Sequence, residues 1–376
     1  MHIDPGDVAV LLEEVDSFAR GRVAVMTGRP EEPIAPDHLE RLTAEALALR
    51  ILPDASDEDG LGLWEDCDHA HTMAFNIGVL RHLGQANAGV AFTWHRYALA
   101  RVMERALGMD CQEDGIPGTT ILPVGHYGLG RASLARWLIG RDLAVEDCDL
   151  LADWLDHRAN TGILLAPESW RSVLWPVWTE GKVRWERRTR QRIDVLLSKA
   201  QHGLDEVSAY RIRAMDSIGN TASVVDAPSS VYARLLKLDM IGLTAIGVGS
   251  ITKGLGMARE FAAIRKQGGQ VIGRHPAVRS LLGDVEIARN AGDVILGSYE
   301  RPVDRIDLGR VVADRAGLFG RLCHAASQIV QAFGGVGYMR DLGAEKILRD
   351  MTMLRLQTGG MQDLHSFLAG WSGDWE

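Results

Sequence analysis

Cysteine is scarce in this chain. Its 376 residues include four, Cys67, Cys111, Cys148 and Cys323, and no two stand in a CxxC pair. That scatter excludes a cysteine-built zinc site and a disulfide framework, and it fits a reducing compartment. Lysine is nearly as rare, at six of 41 basic residues, a bias read as genome composition rather than as a phosphate-binding adaptation. Positive charge is in deficit overall: the net charge of −9 argues against a nucleic-acid partner, which needs basic patches. No run of 18 apolar residues occurs. The longest candidate, residues 241–251, is short and glycine-rich, so no membrane span or membrane partner is expected. The opening MHIDPGDVAVLLEEV has no basic stretch followed by an apolar one, so no secretory signal is visible. A soluble protein of the cytoplasm is the expectation. What is present is ordinary globular material, 46% hydrophobic and 24% charged, in a length that suits two or three domains.

Three textures divide the chain. Residues 1–118 read as a helical domain: DVAVLLEEVDSFARGRV, PDHLERLTAEALALRI and GVAFTWHRYALARVMERAL carry apolar residues at i, i+3, i+4 and i+7. Asp37 after Pro36 suits an N-cap. Residues 119–225 open with turn formers, pass through a helical stretch at 132–156, and then alternate short apolar and polar runs. TGILLAP, SVLWPVW, KVRWERR, RIDVLL and SAYRIRAMD read as strands of period two, enclosed between helical domains. Residues 226–376 predict an antiparallel bundle of four helices. The first is a long stretch capped by Ser229 or Ser230, and the others run through HPAVRSLL, DLGRVVAD and AEKILRDM.

Some patterns carry little. GHYGLG at 125–130 has glycines spaced roughly like a dinucleotide fingerprint but no strand before it and no acidic residue about 20 positions on, so a turn is the better reading. GVGSITKG at 247–254 lacks the GK[ST] ending of a phosphate loop, and glycines there suit close helix packing. His69 and His71 are metal ligands by type, but on a helix they point to different faces. No Ser–His–Asp or HExxH pattern is present.

QIVQAFGGVGYMRDLGAEKILRDMTMLRL is more specific. Gly334 and Gly335 end a helix, and exposed backbone N–H groups there could hold a pyrophosphate or the edge of a ring. Through Gln331, Phe333, Gly334, Gly335, Gly337, Tyr338, Arg340, Glu345, Arg349 and Asp350, the segment resembles the C-terminal signature of the acyl-CoA dehydrogenase family. GMAREFAAIRKQGGQVIGRH and LGQANAGVAFTWHRYALARVME also resemble parts of that family. The resemblance implies an α+β fold: an N-terminal α-helical domain, a small middle β-domain and a C-terminal four-helix bundle. It also implies FAD as cofactor. Arg265 would reach the FAD pyrophosphate of a neighbouring subunit, a role that suits a guanidinium; the alternative is a helix C-cap. Gln267 and His275 occupy further flavin-contacting positions, and Gln331, Gly334 and Gly335 would meet the other end. Trp170 and Ser172 have the spacing of a flavin-packing motif, with plain core packing as the alternative for these clustered tryptophans.

The chain departs from the pattern at several points. Gly268 replaces a phenylalanine, and the family's TEPxxGSD segment is not found. Thr358 occupies the position of the usual catalytic glutamate, and a threonine hydroxyl is no general base near neutral pH without an activating partner. Some members keep the carboxylate elsewhere, at a position matching Asp239, 26 residues before Arg265. Flanked by Leu238, Met240 and Ile241, Asp239 would have its pKa raised by burial towards that of a working base; the alternative is a solvated carboxylate on a helix face. The expected function is therefore an FAD-dependent dehydrogenase forming an α,β-enoyl thioester from an acyl-CoA or acyl carrier protein thioester, assembled as a homodimer or tetramer. Two alternatives stand beside it. One is a redox-inactive subunit, in a hetero-oligomer with a catalytic one; the other is a flavin-dependent monooxygenase on the same fold.

Overall fold

The computed structural model describes residues 3–28, 32–54, 62–109, 117–119, 135, 138, 149, 161–179, 182–199, 201–214 and 224–372. The glycine pattern at 125–130, most of the helix expected at 132–156, and Cys111 and Cys148 lie outside them.

Helices α1 (Val8–Phe18), α2 (Pro36–Ala48), α3 (Ala70–Ala86) and α4 (Ala88–Ala106) precede the strands. Pro36 takes the first position of α2, where a missing N–H costs nothing, and this puts Asp37 inside the first turn, with Ala35 as the cap. A single residue separates α3 from α4. It is Asn87, whose side-chain oxygen accepts the Val90 N–H at 2.9 Å and so starts the new helix.

Among the described residues seven strands follow: β1 (Pro117–Thr119), β2 (Thr161–Ala166), β3 (Ser172–Thr179), β4 (Lys182–Thr189), β5 (Ile193–Lys199), β6 (Ser208–Ala214) and β7 (Val224–Ala227). They form one sheet ordered β1-β3-β4-β7, in which only the β1–β3 pair is parallel, and an antiparallel sheet ordered β2-β6-β5. The expected inside–outside alternation fails in β3, where Ser172, Val173, Leu174 and Trp175 are all buried. The reason is that this sheet has protein on both faces. Leu174 and Trp185 join the main core, whereas Val173 and Trp175 join a second core with Trp170, Tyr210 and Ile212.

Helix α5 (Ser229–Ile264) starts directly after Pro228, with the proline rather than a serine at the cap. At 1.5 Å per residue it is roughly 54 Å long. It packs against α3 and α4, and against α6 (Pro276–Gly297), α7 (Leu308–Phe333) and α8 (Ala344–Leu356). Although α5 is long and apolar enough to cross a membrane, 89% of its apolar window is buried inside the protein, as befits a core helix. Its glycines explain the close fit: a Cβ at Gly249 would lie 2.2 Å from the Arg81 carbonyl oxygen, so the α3 and α5 backbones touch. This is the packing role read from the 247–254 segment. A further helix, α9 (Met361–Ser372), follows the four expected in this region. Between α5 and α6 a hairpin pairs Lys266–Gln267 with Gln270–Val271 across Gly268 and Gly269, both at positive φ. A two-residue turn of this kind suits glycine, which explains why no phenylalanine stands at 268.

Candidate active site

Asp239 lies in the first third of α5 and is completely buried. An ionised carboxylate in such a place must be compensated by charge or hydrogen bonds, and α4 supplies both from adjacent residues. The Arg96 guanidinium approaches with Nε 3.2 Å from Oδ1 and Nη2 3.4 Å from Oδ2. His95 Nε2 lies 3.2 Å from Oδ1 and 3.2 Å from the Asp239 backbone oxygen. The third partner is Thr358, whose hydroxyl donates to Asp239 Oδ2 in a short contact and also accepts from Arg96 Nη2 at 3.3 Å. The two positions at which the resemblance expects a carboxylate base, 358 and 239, thus meet at one point.

The protonation of His95 follows from its other neighbour. The indole N–H of Trp64, which can only donate, lies 2.9 Å from His95 Nδ1. Nδ1 is therefore the acceptor, and Nε2 carries the proton that points at Asp239. Burial pushes the imidazole pKa down, so the ring is neutral and serves as a hydrogen-bond donor rather than as a second cation. For Asp239, burial alone would raise the pKa. The Arg96 charge, His95 and the Thr358 hydroxyl outweigh it and bring the value down to about 2. This corrects the sequence expectation of a raised pKa: burial is there, but it comes with a cation in contact.

Both ends of this chain of bonds sit on unusual backbone. Trp64 has φ 69° and Thr358 has φ 63°, the left-handed region that a β-branched residue rarely enters. Arg315 of α7 holds the turn that carries Thr358. Its Nη2 donates to the carbonyls of Leu354 at 2.9 Å and Gln357 at 2.6 Å, and its guanidinium stacks 4.4 Å over the Phe319 ring. Burial lowers the Arg315 pKa to about 10.

Sequence reasoning missed Trp64, His95, Arg96 and Arg315 because their partners lie 30 to 260 positions away. A usable signal did exist: a charged pair, His95–Arg96, inside the almost wholly apolar AGVAFTWHRYALA must find a buried counter-charge, as must Asp239 inside LLKLDMIGL.

Of the other expected site residues, those from Arg265 to His275 and from Gln331 to Gly335 gather at the far end of the bundle. Phe261 near the end of α5 stacks on Phe333 at the end of α7, with centroids 4.6 Å apart, so Arg265 and the Gly334–Gly335 turn share one end. Arg265, Gln267 and Gln331 are exposed. His275 Nε2 lies 3.0 Å from the Gln267 carbonyl oxygen and closes the hairpin. Gly334 has φ 66°, and neither Gly334 nor Gly335 has anything within 4 Å of where a Cβ would be. An exposed guanidinium beside an open glycine turn fits a phosphate-bearing cofactor. Trp170 does not fit the ring side: it is fully buried, packed edge-on against Tyr210 at 5.8 Å with Arg190 4.8 Å from its ring centre. Ser172 is buried with it, so core packing accounts for this pair. His69 pairs with Asp66 at 3.2 Å, and among the described residues no cluster suits a metal ion.

Residues 231–365 match the model of the acyl-CoA dehydrogenase C-terminal domain. Over that C-terminal stretch the chain is similar to the acyl-CoA dehydrogenase family. Among curated relatives, the probable acyl-CoA dehydrogenase YngJ of Bacillus subtilis (strain 168) is 30% identical over 149 residues, 37% of this chain and 38% of that protein. The mitochondrial isobutyryl-CoA dehydrogenase of Dictyostelium discoideum is 26% identical over 147 residues, 38% of this chain and 35% of that protein. The matched stretch thus spans well under half the length of either relative. Solved structures extend the likeness of fold to nearly the whole chain. The prolyl acyl carrier protein oxidase AnaB superposes with a TM-score of 0.73 at 12% identity, covering 98% of this chain and 99% of that one. Butyryl-CoA dehydrogenase from Megasphaera elsdenii gives 0.71 at 14% identity, with the same coverage. The architecture of helical domain, β-domain and helical bundle is therefore an acyl-CoA dehydrogenase-like fold. Arg349 and Asp350, both inside the matched C-terminal stretch, have structural work in this chain. Arg349 Nη1 donates to Asp205 at 2.6 Å and to the His202 carbonyl at 2.9 Å, and Asp350 Oδ1 accepts the Leu204 N–H at 2.7 Å. Both tie the β-region to the bundle.

Proposed function

We propose that this chain is an FAD-dependent oxidoreductase that converts an acyl thioester, carried by CoA or an acyl carrier protein, to its α,β-enoyl form. The observation that supports this most is the meeting of Asp239 and Thr358: the chain keeps one ionised carboxylate where the family's two alternative base positions converge. A bound flavin supplies the two-electron acceptor for the β-hydride. Asp239 would take the α-proton on a carboxylate oxygen. With a pKa near 2 it is a weak base, and it becomes a better one as Arg96 and Thr358 give up their bonds to it.

Arg265 and the N–H groups around Gly334–Gly335 would hold the phosphates. Arg265 lies roughly 39 Å along α5 from Asp239, so the two belong to different sites unless a second copy brings its own Arg265 towards this copy's Asp239. A homodimer or tetramer sharing its cofactor across an interface supplies that arrangement. Exposed apolar residues at the Arg265 end, Ile264, Val336, Tyr338 and Met339, suit such an interface.

The closed Trp170 and the fully engaged Asp239 favour a second reading, a subunit without redox activity. Purified protein that absorbs near 450 nm, and that bleaches anaerobically with an acyl thioester unless Asp239→Asn is present, supports the first reading. A colourless protein that FAD cannot reconstitute overturns it in favour of the second.

A further inference from the structure

A second group of buried charges lies roughly 21 Å along α5 from Asp239. It borders a cavity of 320 Å³ between the end of the first helix region, the α3–α4 junction, α5 and the start of α8. Lys346 of α8 is fully committed there: its ammonium lies 3.2 Å from Glu206 Oε2 and 2.9 Å from Asp350 Oδ2. Glu206 accepts in addition from Asn87 Nδ2 at 2.7 Å. Lys253 of α5, on the same cavity, is different. Its Nζ donates to the Ala86 carbonyl at 2.9 Å, and among the described residues no carboxylate comes within ion-pair distance of it.

The half-buried Lys253 ammonium, bonded to one neutral carbonyl, keeps two N–H groups for a ligand, with Asp350 and Glu206 acting on it only from beyond ion-pair distance. Burial lowers the Lys253 pKa accordingly, the direction that an anion in contact would reverse. The Ser250 hydroxyl, one turn earlier, lines the same wall. The lining is mixed: Ala24, Ala88, Met257, Leu342 and Ile347 supply apolar surface beside Thr27, Asn87 and the Lys346–Asp350 pair. Asp341 stands at the rim but is exposed, where water and salt screen it. The volume falls at the lower end of small-ligand sites.

We infer that this cavity binds a short-chain monocarboxylate, its carboxylate on Lys253 and Ser250 and its hydrocarbon against Met257, Leu342 and Ile347. The site is separate from the Asp239 site and owes nothing to a flavin. Its occupant would sit beside the Asn87–Glu206–Lys346–Asp350 network that joins the first helical domain, the β-region and the bundle.

Isothermal titration of the whole protein with butyrate tests this, with butyramide and inorganic phosphate as comparisons. The expected result is saturable one-to-one binding of butyrate, weakened about tenfold or more in butyramide and in Lys253→Met, the size of one lost charge-assisted contact. Ala24→Phe, which fills the cavity and keeps Lys253, should abolish the heat even if Lys253→Met proves poorly folded. Equal binding by wild type and both variants would overturn the proposal. So would phosphate binding as tightly as butyrate, since the apolar wall would then have no part. The calorimetric readout involves no flavin, so its failure leaves the proposed oxidoreductase activity untouched.

Discussion

Asp239 carries its charge where no water reaches, and its stability rests on three donors from two other parts of the chain. Removing one partner of a buried pair costs more than the pair contributes, because the orphaned charge stays buried. Arg96→Met should therefore destabilise the fold by about 3–5 kcal/mol. The double variant with Asp239→Asn should recover a substantial part of that loss, and urea denaturation of the two checks it. The pH dependence has a definite sign. With a pKa of about 2 in the fold against an ordinary 3.8, Asp239 binds a proton less readily folded than unfolded. Its contribution, about 2 kcal/mol by the size of the shift, is fully present above the unfolded value and is lost as pH falls from about 4 towards 2. The difference in urea midpoint between wild type and Asp239→Asn should be constant near neutrality and shrink across that acidic range.

At the scale of elements, the long helices were legible in the sequence from their apolar residues at helical spacing, and proline marks where α2, α5 and α6 start. The strands of 161–214 were legible as runs, but their alternation was not, because residues such as Val173 and Leu174 bury opposite faces against two separate cores. That double covering is a tertiary fact with no local trace. The same limit applies to the site. Asp239 and Thr358 could be singled out one at a time, but their contact, and the Arg96 that reverses the pKa of Asp239, depends on how α4 packs on α5. The packing itself makes a contrast within one helix. Gly249→Ala should cost about 1–3 kcal/mol by driving α5 off the α3 backbone. Gly256→Ala, where a Cβ meets nothing within 4 Å, should stabilise by about 0.5–1 kcal/mol through helix propensity. Thermal melts of the two variants would move in opposite directions.

For the whole molecule, the end of the bundle that carries Arg265 is also the end with uncovered apolar side chains: Ile264 is 77% exposed, Tyr338 65% and Met339 57%. Side chains of that size exposed together are what an association surface would use. Sedimentation should show an oligomer, and Ile264→Glu with Tyr338→Glu should shift it towards monomer with the helical circular dichroism unchanged. Flavin retention should fall in the same variant, because Arg265 of one copy would no longer reach the site of another. If the variant dissociated and kept its flavin at full occupancy, each chain would have to hold the cofactor unaided.

The contact between Thr358 and Asp239 also limits how this chain can change by descent. A glutamate restored at 358 would bring a second carboxylate against the first inside a closed space, and two such groups cannot both stay ionised there. Thr358→Glu alone should be a step downhill in fitness, although it recreates the residue most relatives would be expected to carry. The passable route runs through Asp239 first, or through both positions together. The two carboxylates would exclude one another, and this chain is held to the one it has by the Arg96, His95 and Trp64 around it.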